Sequence, residues 1–134
     1  MANNAPAIGA DGAANGFSAV EAKLAALQKA AIGLQEETGV LVKQMRVNAN
    51  AALKVAELSA AAEVDSRHVA AVVEIGAAFA RVVGGCKVLI AAADTVHQAT
   101  GHLRAEHKAE YGGIHAAVTA SRARQAKPGF YRPL

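Results

Sequence analysis

The chain has 134 residues, of which 53% are hydrophobic and only 4% aromatic, and a formal net charge of +3. This length accommodates one domain with a modest core. Alanine supplies much of the apolar count and strand-type alternation is rare, so the composition favours helices packed through small and aliphatic side chains and argues against a sheet. The single cysteine, Cys86, rules out an internal disulfide. It predicts a buried thiol in a reducing, cytoplasmic compartment.

The N-terminal residues 1–17 predict a flexible leader of small residues. They lack the charged and apolar regions of a secretory signal. The first helix is expected to begin with a capping box, in which Ser18 is the N-cap and Glu21 reaches back to its backbone N–H. Phe17, just before the cap, would pack on the first turn.

An apolar seam follows with steps of four and three residues, the heptad spacing of a helix that lies along a partner helix. Its members are Val20, Leu24, Leu27, Ala31, Leu34, Thr38, Leu41 and Met45.

A second seam keeps the same spacing for nearly six heptads: His68, Val72, Ile75, Phe79, Val82, Cys86, Leu89, Ala93, Val96, Thr100, Leu103 and His107. A parallel row lies beside it and widens the stripe: Val69, Gly76, Val83 and Ile90. So wide a stripe buries against more than one neighbour, which favours a homo-oligomer over a self-contained hairpin core. The residues expected to carry self-association are Ile75, Phe79, Val82, Leu89 and Val96.

The apolar stretch 69–93 has the composition of a membrane span but contains Glu74, Arg81 and Lys87. Each charge near a bilayer centre costs roughly 2.5–3.5 kcal/mol, so the sequence predicts a helix buried in a protein assembly and no membrane span.

The predicted fold is all-α: a long antiparallel, coiled-coil-like helical hairpin over residues 18–111, then a short helix and an extended tail over 112–134. Asp65 or Ser66 would cap the second helix; a continuous rod through residues 60–66 is the alternative, since no Gly or Pro interrupts that region. Gly112 and Gly113 are expected to end the second helix, with the short helix running from about Ile114 to Ala126.

The basic charge is concentrated at the C-terminal end. Residues 1–110 hold ten Lys/Arg and eleven Asp/Glu, whereas residues 111–134 hold four Lys/Arg and no acid. The four cations, Arg122, Arg124, Lys127 and Arg132, are candidates for weak, salt-sensitive contact with nucleic acid; a solvated tail is the alternative. Phe130 and Tyr131, flanked by prolines that stiffen the chain, form a candidate docking peptide for a protein partner.

No catalytic constellation, cofactor motif or phosphate loop is visible in the sequence, which predicts a protein that is not an enzyme and binds no cofactor. His97, His102 and His107 recur every five residues, so they cannot share one helix face and predict no metal site. Their expected environment is a solvated helix end.

The segments His107-Lys108-Ala109-Glu110-Tyr111-Gly112-Gly113-Ile114 and Lys127-Pro128-Gly129-Phe130-Tyr131-Arg132 resemble small Ala-rich helical proteins of actinobacteria labelled as conjugal-transfer proteins. That resemblance implies a plasmid-linked role without a mechanism. The size and hairpin layout are also similar to the WXG-type helical hairpins, which dimerise into four-helix bundles. Here the expected turn reads Ala62-Glu63-Val64-Asp65-Ser66 in place of Trp-x-Gly.

These patterns predict a non-enzymatic structural or assembly protein. It would self-associate through its heptad-patterned helices and dock an unknown protein partner with its C-terminal tail. The alternative is a DNA-associated accessory factor of plasmid conjugal transfer that uses the four basic residues of the tail.

Overall fold

The computed structural model describes residues 16–122, which form two α-helices and no strand. Helix α1 spans Phe17–Ala61 and helix α2 spans Ser66–Ala120. The two helices pack against each other, so the predictions of an all-α fold and a two-helix hairpin are confirmed. The chain divides into two compact units. We call residues 30–96 the turn unit, and the described residues 16–29 and 97–122 the terminal unit.

The connection between the helices closes α1 with a C-terminal cap. The amide of Val64 donates to the carbonyl of Ser59 at 3.0 Å, and that of Glu63 donates to Ala60 at 3.1 Å. This is the Schellman pattern, which needs a left-handed residue after the helix. Glu63 takes that conformation, with φ at 59°. The continuous rod is therefore excluded.

The same connection starts α2 with a side-chain cap from Asp65, as the sequence suggested. Its Oδ1 accepts the Arg67 amide at 2.9 Å, and the Arg67 guanidinium lies 3.3 Å from Oδ2. The Arg67 side chain, then its amide, lowers the pKa of Asp65 below the ordinary 3.8. Because the folded pKa is depressed, this contribution to stability is fully present above that ordinary value and is lost as the pH falls through the folded pKa.

The strained cap residue leads to a prediction for the turn. Glu63→Gly is expected to raise the free energy of unfolding by about 0.5–1 kcal/mol. The left-handed conformation costs an L-residue roughly 1–2 kcal/mol and costs glycine almost nothing, but glycine loses more chain entropy on folding, which offsets part of the gain. Chemical denaturation followed by circular dichroism measures the change. Glu57→Gly, inside α1, is the control and should destabilise; equal effects of the two substitutions would contradict the cap assignment.

The start of α1 differs from the predicted capping box. The helix begins at Phe17, and the Val20 amide donates to the Gly16 carbonyl at 2.9 Å, so Ser18 lies within the first turn. Glu21 does not reach back to a cap because its Oε2 lies 3.4 Å from Nη2 of Arg104 on α2. A partly buried ion pair therefore takes the carboxylate that the local motif was expected to use.

The core of the turn unit follows one heptad register on each helix. Every a and d residue is buried or half-buried: on α1 Ala31, Gln35, Thr38, Val42, Met45, Ala49, Ala52, Ala56 and Ser59, and on α2 Val69, Val72, Gly76, Phe79, Val83, Cys86, Ile90 and Ala93. Cys86 is a free, buried thiol, as predicted. It packs with Val42 and Val83, and Met45 and Ile90 close the cluster.

The phase of the predicted seams was only half right. The set containing Ala31, Thr38 and Met45 faces inward, but Leu34 and Leu41 are 41% and 39% exposed. Their places are taken by Gln35 and Val42, one residue further along. The inward face therefore combines small residues, which let the two helices approach closely, with the larger Val42 and Met45, while Leu34 and Leu41 remain beside it.

The end of α2 differs from the prediction as well. The helix continues through Gly112 and Gly113 to Ala120, so within the described residues there is no separate short helix. Two interior glycines cost about 1 kcal/mol each relative to alanine. Tertiary contact offsets this cost, because the His115 ring stacks on Phe17 with 4.6 Å between centroids.

Candidate self-association surface

One side of the turn unit carries an aliphatic ladder formed by the residues at heptad position g, those that precede an a position, from Leu34 to Val55 on α1 and from Ile75 to Val96 on α2. The next g residue of α2, the exposed His68, lies beside the turn and outside the ladder. The rungs of the ladder pair Leu34 with Val96, Leu41 with Leu89, Asn48 with Val82, and Val55 with Ile75. All seven aliphatic members are between 39% and 51% exposed. The ladder is thus a continuous apolar strip, interrupted only by Asn48, that nothing in the turn unit covers.

The pairing of the rungs follows from the antiparallel register of the helices. Gln35 donates to Asp94 at 3.5 Å, and a Cβ placed on Gly76 would lie 3.4 Å from the Ala49 carbonyl oxygen. A twofold axis perpendicular to the plane of two antiparallel helices exchanges the two helices, and a residue on one side of the hairpin stays on that side. The g positions of both helices therefore lie on one side of the hairpin, and the e positions on the other.

The opposite side, formed by the e positions, has a different character. A shallow groove runs along the close helix approach at Gly76, and its lining includes Arg46, Asn50, Leu53, Val73 and Ala80. Charged and small residues dominate this side, so the two faces of the hairpin are chemically distinct. The aliphatic ladder is the more apolar of the two.

The charges of α2 point away from the ladder. In the turn unit Glu74 and Arg81 occupy position f, and Lys87 and Asp94 occupy position e. Position c, which adjoins the ladder, holds only small residues on α2: Ala71, Ala78, Gly85 and Ala92. A Cβ added at Gly85 would meet nothing within 4 Å. The ladder side of α2 thus carries a second heptad seam with alternating large and small residues.

Four of the five residues predicted to carry self-association lie on the ladder. Ile75, Val82, Leu89 and Val96 share position g and are exposed. Phe79 is different: it is half-buried at position d, in the row of Val72 and Cys86 that forms the intrachain core. The sequence did not separate these rows, because the stripe on α2 is wider than one seam.

The terminal unit is held together by polar and aromatic contacts, whereas the core of the turn unit is aliphatic. Gln28 Oε1 accepts from Arg104 at 3.0 Å, while Arg104 also pairs with Glu21. The Phe17 ring is sandwiched between the rings of His107 and His115, with centroids 4.9 Å and 4.6 Å away. These contacts attach the first turns of α1 to the last third of α2.

The histidines are therefore not the solvated helix end that the sequence suggested. His97 and His107 are half-buried, and the Nε2 atom of His107 is buried without a hydrogen-bond partner. Only His102 of the predicted trio is exposed. No cluster of three or more metal-ligand side chains occurs between residues 16 and 122.

The aromatic sandwich leads to a local prediction. Phe17→Ala is expected to speed amide hydrogen exchange over residues 20–29 by roughly tenfold to a hundredfold, since two aromatic stacks contribute about 1–3 kcal/mol together. Ser18→Ala, at an exposed neighbouring position, should leave these rates unchanged. Hydrogen exchange with mass spectrometry resolves the segment. Equal protection in the two variants would show that the sandwich does not anchor α1.

The candidate tail residues lie almost entirely outside the described range. Arg122 is exposed just beyond the end of α2. Arg124, Lys127, Phe130, Tyr131 and Arg132 all lie outside the described residues, so docking and nucleic-acid contact stay predictions.

Within the described range, α2 alone is long and apolar enough to cross a membrane. Its most apolar 18-residue window has a mean hydropathy of 1.7 and is 17% buried. This property is one of length and composition only, and a helix in a protein core can share it.

The chain matches no known protein-family model, no curated protein and no solved structure.

Proposed function

We propose that this protein is a non-enzymatic assembly protein that self-associates through the aliphatic ladder. The observation that carries the proposal is the ladder itself: seven large aliphatic side chains on one side of the turn unit, each about two-fifths to one-half exposed. Contiguous apolar surface of this kind marks an interaction site in a soluble protein.

The interior of the hairpin supports the same conclusion. Among the described residues no side chain is less than 2% exposed, and the buried hydrophobic residues are mostly alanine and valine. Fully burying a Leu or Val contributes roughly 1.5–3 kcal/mol, so covering the exposed half adds about 1 kcal/mol per side chain. Fourteen such side chains in two copies give a gross gain of about 10–15 kcal/mol, which is comparable to the cost of association.

A second protein surface fits the ladder better than a lipid surface does. Helices that lie in a membrane interface carry Lys and Arg along the border of their apolar face. Positions g and c of the turn unit contain neither residue; their ionisable side chains are Glu37 on α1 and His68 beside the turn on α2. An uncharged ladder bordered by small residues along α2 is typical of a helix-packing surface.

The direct test is the solution mass of the full-length chain, measured by size-exclusion chromatography with light scattering. A defined oligomer is expected, with its mass unchanged by neutral or anionic phospholipid vesicles. A monomer that floats with the vesicles would overturn the proposal in favour of membrane binding, and a monomer that does not float would show that the hairpin is the functional unit.

The adjacent glycines Gly84 and Gly85 supply a matched pair of variants. Both positions are open, since a Cβ at either meets nothing within 4 Å, but only Gly85 adjoins the ladder. Gly85→Leu is expected to weaken self-association at least tenfold by blocking close approach, whereas Gly84→Leu should leave it unchanged. Sedimentation equilibrium measures both constants; equal effects would place the contact elsewhere.

The proposal includes docking of a protein partner by Phe130 and Tyr131. Support comes from the sequence: in a chain with only 4% aromatic residues, two of them stand together between prolines. If docking and self-association are separate tasks, the double substitution Phe130→Ala/Tyr131→Ala leaves the oligomer mass unchanged. A monomeric double variant would instead make the tail part of the assembly contact.

A further inference from the structure

The aliphatic ladder also contains information about the orientation of the second copy. We infer that two hairpins pack face to face with their turns at the same end; this inference rests on the self-association proposed above. In this arrangement α1 of each copy lies against α2 of the other. The occupant of the ladder is thus the same ladder of a second chain, in one defined orientation.

Only two symmetric arrangements bring the ladders together. A twofold axis parallel to the helices keeps the turns at one end and stacks each rung on its own copy. A twofold axis across the helices reverses one hairpin, so that α1 packs on α1 and α2 on α2. The two arrangements make different demands on the residues of positions g and c.

The polar rung favours the arrangement with the turns together. Asn48 is the one polar member of the ladder, and its side chain is exposed in the single chain. With the turns together, both Asn48 side chains fall in one layer, each over Val82 of the other copy, and each amide has the other as a polar neighbour diagonally across that layer. With the hairpins reversed about the ladder centre, Asn48 faces the rung of Leu41 and Leu89, where a buried amide is left without a partner. A single polar residue in a helical seam commonly fixes orientation in this way.

Shifting the reversed hairpin along the helix axis removes this mismatch only by reducing the aliphatic contact elsewhere. If the axis across the helices passes through the rung of Asn48, the amides meet again. The rung of Leu34 and Val96 then lies opposite Ala62 and His68, beside the turn of the other copy. One complete aliphatic rung in each copy is left without an aliphatic partner, so the shifted arrangement loses part of the apolar contact that drives association.

The neighbouring position c gives an independent indication. On α2 this position is small throughout the turn unit, whereas on α1 it includes the longer Glu37, Gln44 and Leu58. With the turns together, long residues of α1 lie over small residues of α2: Gln44 opposite Gly85, and Leu58 opposite Ala71. Hairpins reversed about the ladder centre would instead set Gln44 against Gln44 on α1 and small against small on α2, which separates one helix pair while the other closes.

The experiment is a distance measurement in the full-length protein with a spin label attached at Val64→Cys, in the turn. Val64 is 43% exposed and therefore accessible to the label, whereas Cys86 is buried. The wild-type chain, treated in the same way, measures any labelling of Cys86. The turn lies about 19 residues, or about 28 Å, from the ladder centre at 1.5 Å per residue. Pulsed electron resonance should give a separation within about 20 Å for turns together, and about 55 Å for reversed hairpins.

A label at Val88→Cys is the control, because this exposed residue lies near the ladder centre and gives similar distances in both arrangements. Light scattering on the same samples separates the two proposals. A monomer overturns self-association itself. An oligomer whose Val64 labels show no separation below about 20 Å overturns the orientation and leaves self-association standing, whereas a short Val64 distance supports both.

Discussion

Replacing Leu89 by aspartate is expected to convert the oligomer to a folded monomer. Leu89 is 44% exposed at the middle of the aliphatic ladder. In the assembly its side chain would be covered by a second copy, and an unpaired carboxylate buried there costs several kcal/mol. In the free hairpin the same carboxylate stays in water, so helix content should be preserved. The expected loss of affinity is at least a hundredfold.

The neighbouring residue provides the control for this result. Val88 is 72% exposed at position f, away from both α1 and the ladder. Val88→Asp introduces the same charge one residue away, with the same helix propensity, and should leave the oligomer intact. Light scattering gives the mass and circular dichroism the helix content of each variant. If both variants remain oligomeric, the ladder is not the contact; if both dissociate, the contact extends around α2.

The second large effect is expected from a charge in the intrachain core. Val83→Asp should unfold the hairpin, because Val83 is 8% exposed and packs with Val42 and Cys86 in the buried cluster. Burying an uncompensated charge destabilises by about 3–5 kcal/mol, and a small core of this kind has little stability in reserve. Loss of helical signal and a broad, early thermal transition are the expected observations.

Val82→Asp is the matched control for the core variant. Val82 precedes Val83 on α2 but occupies the ladder, where it is 43% exposed. This variant should keep its helix content and lose its oligomeric state, as Leu89→Asp does. The pair separates folding from assembly within two adjacent residues. A folded Val83→Asp monomer would contradict the heptad register assigned to α2.

The assignment of the inward rows explains why assembly and folding are separable here. The intrachain contact of the turn unit uses small residues such as Ala49, Ala52 and Gly76. Close approach of the helix backbones leaves the larger aliphatic side chains at the flank of the contact. The larger aliphatic residues are therefore divided between the core cluster around Val42 and Val83, which holds the hairpin together, and the exposed ladder, which the proposed assembly uses.

The sequence by itself determined the helical class and the burial of Cys86, and it favoured a turn near residues 60–66 over a continuous rod. Alanine-rich composition and heptad spacing specify long helices, and Asp65 caps α2 through purely local hydrogen bonds. Local chemistry of this kind can be read without knowing what the helix packs against. The heptad spacing also identified Val82, Leu89 and Val96 as a row of large residues.

Only the tertiary structure decided which neighbouring row faces inward. Adjacent rows on α2 satisfy the same heptad spacing, so periodicity leaves the phase open; packing chose the row of Val83 and left that of Val82 exposed. In the tertiary structure Glu21 pairs with Arg104 and not with the N-terminus of its own helix, and α2 continues past Gly112. Each of these outcomes depends on a contact between residues far apart in the sequence, whose free energy exceeds the local preference that the sequence displays.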